Sequence, residues 1–351
     1  MVLGDRGIYN GGGVRYEDFT LVLSDVAEVD SALTWNTQVT AAAGLPTIIE
    51  PIKSRCERRP LRALSSANSA PPPTMAVQLD AGRVLAEALL PGLVRSRLRE
   101  ALYVVRGRGS GLRIRIVGGD VVHCVPWEYV LLPPEHGEPT ETDFLALMPD
   151  VSIVRDQSIP AVSWTRATLP FRIAAAAAHP RCTGQIDVAR ERVALEEALR
   201  DLRGTIELAW SAGGARPSTS TRAQMFHFAG HGAFEPAASS SEGTRDLAIG
   251  DTLPASGLPG DGYLVFEAAD GAAERVSAGQ LGVILREMGV RVALLNGCKT
   301  ASRDGSRAWS SVAAGLLKAG VRSVVAMQHA VLDASAIAFA AAFYRDRKSV
   351  V

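Results

Sequence analysis

Cysteine is scarce in this 351-residue chain: only Cys56, Cys124, Cys182 and Cys298 are present, with no CxxC pair and no cysteine–histidine cluster at metal-ligand spacing. A disulfide framework is not expected at this length, so the cysteine usage predicts a reducing, cytoplasmic setting. Net charge is also missing, because Lys+Arg and Asp+Glu stand at 37 each. No nucleic-acid or anionic-membrane partner is therefore expected. Lysine supplies only four of the basic residues, and the excess of Arg and Ala reads as gene base composition rather than a binding device. Long apolar runs are lacking too. IAAAAA (173–178) is far too short to span a bilayer, and the opening MVLGDRGIYNGGG has no apolar core of a secretory signal.

What remains is a globular composition, 47% hydrophobic and 21% charged, with volume for one large or two ordinary domains. Residues 1–76 are the least legible: YEDFTLVLSD suits one strand, and SSANSAPPPT (65–74) is a Ser/Pro linker. The basic run KSRCERRPLR (53–62) is expected on a solvated surface. Residues 77–165 form a second segment, with helical spacing from Gln78 broken at Pro91-Gly92 and an alternating strand at GLRIRIVGG (111–119).

From 166 to 351 short apolar runs alternate with amphipathic segments. FRIAAAAA, TIELAW, AQMFHFA, RVALLN and VRSVVAM read as strands. VARERVALEEALRDL, SAGQLGVILREM, AWSSVAAGLLKAG and DASAIAFAAAFY read as helices, and GYLVFEAADGAAERVS as a hairpin around Asp270-Gly271. This alternation predicts an α/β fold with a mainly parallel, doubly wound sheet. Chemistry in such sheets sits at the carboxyl ends of the strands.

Two segments meet that condition. QMFHFAGHGAF (224–234) is an apolar strand that should end near Ala229 and present His231 in the loop just past it. At about 3.3 Å per residue, His227 and His231 lie roughly 13 Å apart, too far to share a metal ion, so no metal is expected. A phosphate cradle fits poorly, since no GK[ST] follows the glycines. RVALLNGCKTA (291–301) ends a second strand in Asn296-Gly297 followed by Cys298. A cysteine nucleophile needs an imidazole to hold the thiolate and protonate the leaving group. It also needs unobstructed backbone N–H groups for the oxyanion, and Gly232 offers one.

FHFAGHG and LLNGCKTA resemble the His and Cys motifs of CHAT domains, caspase-like peptidase modules related to separases, gingipains and caspases. VPWEYVLLPP (125–134) is similar to the family's upstream Pro-Trp-Glu motif, and FLALMPDVSIVR (144–155) follows in the expected order. The likeness spans roughly 77–346. It implies a caspase-like three-layer sandwich with an amino-terminal α/β extension. His231 takes the place of the general base and Cys298 that of the nucleophile, with the N–H groups of Gly232 and Cys298 as the oxyanion hole. Asp333 stands where relatives that cut after Arg or Lys carry an acidic pocket residue; it is also placed to cap the helix that follows. His227 either packs on its strand face or touches substrate, and Trp127 and Glu128 are expected to seal the interface between the two halves.

The resemblance implies a protein or peptide substrate, no cofactor, and activation by a separate sensor protein. The alternative is an inactive scaffold of the same fold that recruits partners. Two departures from the family pattern stand out. SAGGARPSTSTR (211–222) is too rich in Gly, Pro and Ser for the helix expected there. The chain also stops at FYRDRKSVV, where a further amphipathic helix is expected, which suggests a truncated product.

Overall fold

A computed structural model describes residues 15–65, 73–123, 125–156, 169–181, 183, 186–202, 204–236, 260–297, 305–327 and 333–345. The chain divides into two compact units; described residues up to 156 fall in one and those from 169 onward in the other.

In the amino-terminal unit, β1 (Tyr16–Val29) and β2 (Ala32–Ala42) form an antiparallel hairpin. Its turn residues Asp30 and Ser31 both take positive φ, 48° and 64°, the twist-matching geometry of a tight two-residue hairpin. Next come β3 (Ile48–Glu57), β4 (Gly111–Val117) and β5 (Val151–Asp156), and the sheet order is β3-β2-β1-β4-β5. The pairs β1–β4 and β4–β5 are parallel, whereas β2 pairs antiparallel with both β1 and β3. Residues 16–57 thus build three strands of the sheet that holds β4 and β5, where the sequence suggested only one strand.

The basic run 53–62 is solvated only in part: Lys53, Arg55 and Arg59 are exposed, as expected of it. It forms the end of β3 and the start of α1 (Arg58–Ser65), where Cys56 is buried and Arg58 is 2% exposed. The Arg58 charge is matched by Glu28 of β1, at 2.5 Å. A buried guanidinium needs such a carboxylate, since an unpaired charge costs several kcal/mol or more.

The helices α2 (Met75–Leu89) and α3 (Leu93–Gly107) are separated at Pro91-Gly92, as their sequence predicts, and a single-turn α4 (Asp120–His123) follows β4. Leu85, Leu89, Leu98 and Leu102 from these helices join Phe19, Leu21 and Ile114 in one apolar core. Trp127 is fully buried in that core, edge-on to Trp35 at 5.9 Å, so it packs within this unit. Its indole N–H donates to the Val122 carbonyl at 2.8 Å. Glu128 is held by the Arg155 guanidinium.

The carboxyl-terminal unit is a seven-stranded sheet with helices on both faces. Its elements in chain order are β6 (Phe171–Ala177), α5 (Val188–Ala198), β7 (Ile206–Trp210), β8 (Met225–Pro236), β9 (Gly260–Glu267) and β10 (Ala273–Ser277), followed by α6 (Ala278–Met288), β11 (Val292–Gly297), α7 (Gly305–Lys318), β12 (Ser323–Ala326) and α8 (Asp333–Arg345). Strands β7, β6, β8, β11 and β12 run parallel. The hairpin β9–β10 is antiparallel and joins the sheet antiparallel to β8. Both sheets of the protein are therefore mixed, and in the carboxyl-terminal one five of the seven strands run parallel, with the β9–β10 hairpin added antiparallel. The cause is that β8 continues past its parallel neighbours and takes a new partner.

Each face has its own core. Leu281 and Leu285 of α6 and Val312 and Leu316 of α7 cover Phe226 and Phe228. On the opposite face, Leu195 of α5 and Ala340, Ala341 and Tyr344 of α8 cover Ile173, Met225 and Leu294. The hairpin turns at Asp270-Gly271 as read, with Gly271 at φ 78° and the Asp270 carboxylate accepting the Ala272 N–H. Residues 211–222 hold a single 3-10 turn, Ala212–Gly214, and no α-helix.

Two glycines set the approach of α6 to α7. A Cβ on Gly282 would lie 2.2 Å from Ala319 Cβ, and one on Gly315 would lie 2.5 Å from Ala278 Cβ. Ala ordinarily stabilises a helix relative to Gly by about 0.5–1 kcal/mol. Here the sign should reverse. We expect Gly282→Ala to lose about 1–3 kcal/mol from overpacking, read as a lower midpoint in urea, with the exposed Gly279→Ala showing no such loss.

Candidate functional site

The centre of the carboxyl-terminal sheet is β8. From Met225 to Gly230 it is flanked by β11, and through Ala229 also by β6, both parallel. From His231 to Pro236 it pairs with β9 instead, antiparallel, with His231 opposite Val265 and Gly232 opposite Leu264. His231 thus sits inside a strand at the position where the partner changes, not in a loop after the strand. Its side chain is 7% exposed. Gly230 cannot carry a side chain without rearrangement, since a Cβ there would come within 2.5 Å of the Phe228 ring. That ring is fixed against Phe266 at 4.9 Å between centroids.

The neighbouring strand β11 ends at Gly297, which is in register with Gly230. The residue before His231 is therefore paired with the residue before Cys298. Cys298 itself lies outside the described residues, and so does the His231–Cys298 separation. The strand β12 runs beside β11, with Ala326 opposite Leu295, and Asp333 is the first residue of α8. The Asp333 side chain also lies outside the description. Among the described residues Cys56 is a free, buried cysteine.

His227 is fully buried on the α5/α8 face, which leaves it no surface to offer a substrate. Of the two readings offered for it, packing on the strand face opposite Phe226 and Phe228 suits this placement and a substrate contact does not. Its Nδ1 is 3.2 Å from the Tyr344 hydroxyl, and its Nε2 is 3.1 Å from Glu191 Oε1, off the line of a straight hydrogen bond. Burial first, and then the Glu191 charge, push the Tyr344 phenol well above its usual range. The phenol stays protonated and can donate to Nδ1, which turns the Nε2–H towards Glu191. Asn296 closes the cluster: its Nδ2 donates to Glu191 Oε1 at 2.7 Å and to the Ala336 carbonyl at 3.2 Å.

Glu191 and Asn296 were not among the residues singled out from the sequence. A signal for Glu191 is present, however. Val188, Leu195 and Ala198 recur at helical spacing, and Glu191 sits on that stripe where an apolar residue belongs. A carboxylate there has to find a buried partner. Asn296 carries no comparable mark, because Asn before Gly reads equally well as an ordinary turn.

A cavity of about 300 Å³ opens at the carboxyl ends of β6 and β7, lined by Ala177, His179, Val188, Arg192, Trp210 and Glu267 among others. The Arg192 guanidinium lies 4.8 Å from the centre of the Trp210 ring, and that ring is edge-on to His227 at 6.2 Å. Glu267 accepts the His179 N–H at 2.5 Å. Among the described residues no helix is long and apolar enough to cross a membrane.

Comparison with known families agrees with this architecture. The CHAT domain family matches residues 79–349, and the chain belongs to that family, a group related to the caspase-like proteases. No curated protein matches the chain.

The register at the site rests on a side-chain-free position 230. We expect Gly230→Ala to displace the Phe228 ring and lower the thermal midpoint, by an amount typical of overpacking, about 1–3 kcal/mol. Restoring space with Gly230→Ala/Phe228→Leu should recover part of the loss; no recovery would mean that the backbone, not the ring, objects to the methyl.

Proposed function

We propose that the chain is a cysteine endopeptidase of the CHAT type, in which Cys298 is the nucleophile and His231 the general base. The observation that carries this reading is the pairing of Gly230 with Gly297 on adjacent parallel strands. It brings the backbone immediately before the histidine and immediately before the cysteine to one level of the sheet. Family membership supports the same reading from an independent side.

The mechanism follows from the residue types. The Cys298 thiolate, stabilised by the His231 imidazolium, attacks the scissile carbonyl carbon, and the carbonyl π electrons move onto oxygen. The resulting oxyanion is met by the N–H groups of Gly232 and Cys298. Strand geometry supports Gly232 in that role. The Ala229 carbonyl accepts the N–H of Ala178, just past β6, so its backbone polar groups face that side. By alternation those of Gly230 and Gly232 face the β11 side, where β11 ends. Collapse expels the amine with a proton from His231. Water then attacks the thioester with His231 as base, and the acid product leaves.

The substrate is a protein or peptide, no cofactor takes part, and a separate partner regulates the activity. A caspase-like layering of the carboxyl-terminal unit, with helices on each side of the sheet, suits this assignment. Asp333 comes after the strand beside β11 in the chain, an order that suits a pocket accepting Arg or Lys before the cut.

A thiol-reactive peptide electrophile tests the dyad. Cys56 does not compete for it, because burial, with a smaller push from Glu57, raises its thiol to about 12. We expect Cys298 to be labelled in the wild type and peptide hydrolysis to be lost in Cys298→Ala. His231→Ala should lower kcat/KM by about 10²–10⁴-fold. A folded wild type whose Cys298 reacts no faster than an ordinary thiol would instead favour an inactive scaffold.

Specificity is separately testable. Removing one partner of a buried carboxylate–guanidinium pair costs about 2–5 kcal/mol, on the order of 30- to several-thousand-fold in rate. Asp333→Asn should therefore cripple cleavage after Arg and Lys while the fold persists, since Asn caps a helix nearly as well. An unchanged peptide-library profile in Asp333→Asn would leave Asp333 as a cap alone.

A further inference from the structure

We propose that Glu191 is a positioning residue whose carboxylate, by accepting from Asn296 of β11 while lying against His227 of β8, fixes the relative placement of the strand that carries His231 and the strand that leads to Cys298. The inference rests on the dyad reading above and adds to it a residue from a third element, α5.

The geometry makes a single oxygen the junction. Glu191 Oε1 receives the Asn296 amide at 2.7 Å and faces His227 Nε2 at 3.1 Å. Both partners lie close to the proposed chemistry along the chain. His227 is four residues before His231 on a continuous strand, and Asn296 is two residues before Cys298. The strands are neighbours in parallel register, with Leu294 opposite His227 and Asn296 opposite Ala229. A shear of one strand past the other would have to break the Asn296–Glu191 hydrogen bond or part Glu191 from His227. Asn296 is further tied to α8 by its contact with the Ala336 carbonyl at 3.2 Å.

The amide orientation is informative. Both Asn296 contacts use Nδ2, while Oδ1 is buried and finds no partner among the described residues. Flipping the amide would set two oxygens against each other at Glu191, so the carboxylate dictates which way Asn296 points. The surroundings are apolar: Leu195, Leu294, Ala340 and Tyr344 line the same face. Packing alone would be served as well by a leucine at 191, since buried polar clusters are often replaceable by apolar residues without loss of stability. A carboxylate in that place adds direction, which packing does not supply. Direction matters at a dyad because a displacement of about 1 Å can cost on the order of 100-fold in rate.

The test reads the Cys298 thiol rather than turnover. Iodoacetamide alkylation of Cys298, followed by mass spectrometry at pH 7, reports how well the imidazole holds the thiolate. In the wild-type background, His231→Ala must slow this alkylation; if it does not, the dyad reading itself fails, whatever Glu191 does. Given that slowing, we expect Glu191→Leu and Asn296→Ala each to slow alkylation by about 10-fold or more. Glu191→Gln keeps an acceptor at the junction and should stay within about threefold of wild type. Gly282→Ala overpacks the contact between α6 and α7 without touching the Glu191 cluster. It should lower the melting temperature yet leave alkylation unchanged. Wild-type alkylation rates in Glu191→Leu and Asn296→Ala, with His231→Ala slowed, overturn the inference. So does a loss of rate that tracks the melting temperature across all these variants, Gly282→Ala included. If neither Glu191→Leu nor Asn296→Ala folds, the cluster serves stability and the positioning role is rejected.

Discussion

The constraint on which the carboxyl-terminal unit turns is the hydrogen-bonding demand of β8. A strand at the centre of a sheet must satisfy donors and acceptors along both edges. From Met225 to Ala229, β6 and β11 do so. Beyond Gly230 neither pairs with it among the described residues, and β9 takes over one edge, running the other way. Every other placement follows from this handover. The hairpin β9–β10 exists to supply the new edge, and the residue at the handover is His231. By alternation, the backbone polar groups of Gly230 and Gly232 face the β11 edge of β8.

Buried charge is handled by the same device in both units. Arg58 and Glu28 meet in one, and Glu191 is met by Asn296 and His227 in the other. In each case a strand and an element outside its hairpin or sheet path are joined by groups that cannot be left alone in an apolar interior. Apolar side chains fill space without choosing a register. The polar clusters choose one, because only one alignment satisfies them.

Much of the carboxyl-terminal unit was legible in the sequence, since its strands are short apolar runs and its helices amphipathic. The hairpin at Asp270-Gly271 and the missing helix at 211–222 could be read from turn residues alone. What was misread has a common physical origin. GHG looked like the end of a strand because glycine weakens strands locally, yet pairing with β9 carries β8 straight through it. KSRCERRPLR looked wholly solvated because five of its ten residues are basic; Lys53, Arg55 and Arg59 are exposed, yet Arg58 is buried and matched by a glutamate thirty residues away. The strand β1 was partly hidden by register shifts after Thr20 and Ser24 and a positive φ of 52° at Asp25, which break simple alternation. Within the site, the two motif residues stand out by type and spacing. Glu191 and Asn296 acquire meaning only when three elements are brought together, and no local pattern encodes that.

The described borders of the larger sheet have a consequence for behaviour at high concentration. Its outermost strands are brief: β12 has four residues, while β7 and β10 have five each. The side chains on two of them are charged, with Glu207 bound to Arg172 on β7 and Glu274 and Arg275 on β10. A visiting strand from another copy would find few free carbonyls to pair with and would have to desolvate ions to reach them. The long, hydrogen-bond-rich strand β8 is kept in the interior, so the sheet presents its neighbours with margins that discourage stacking into fibres.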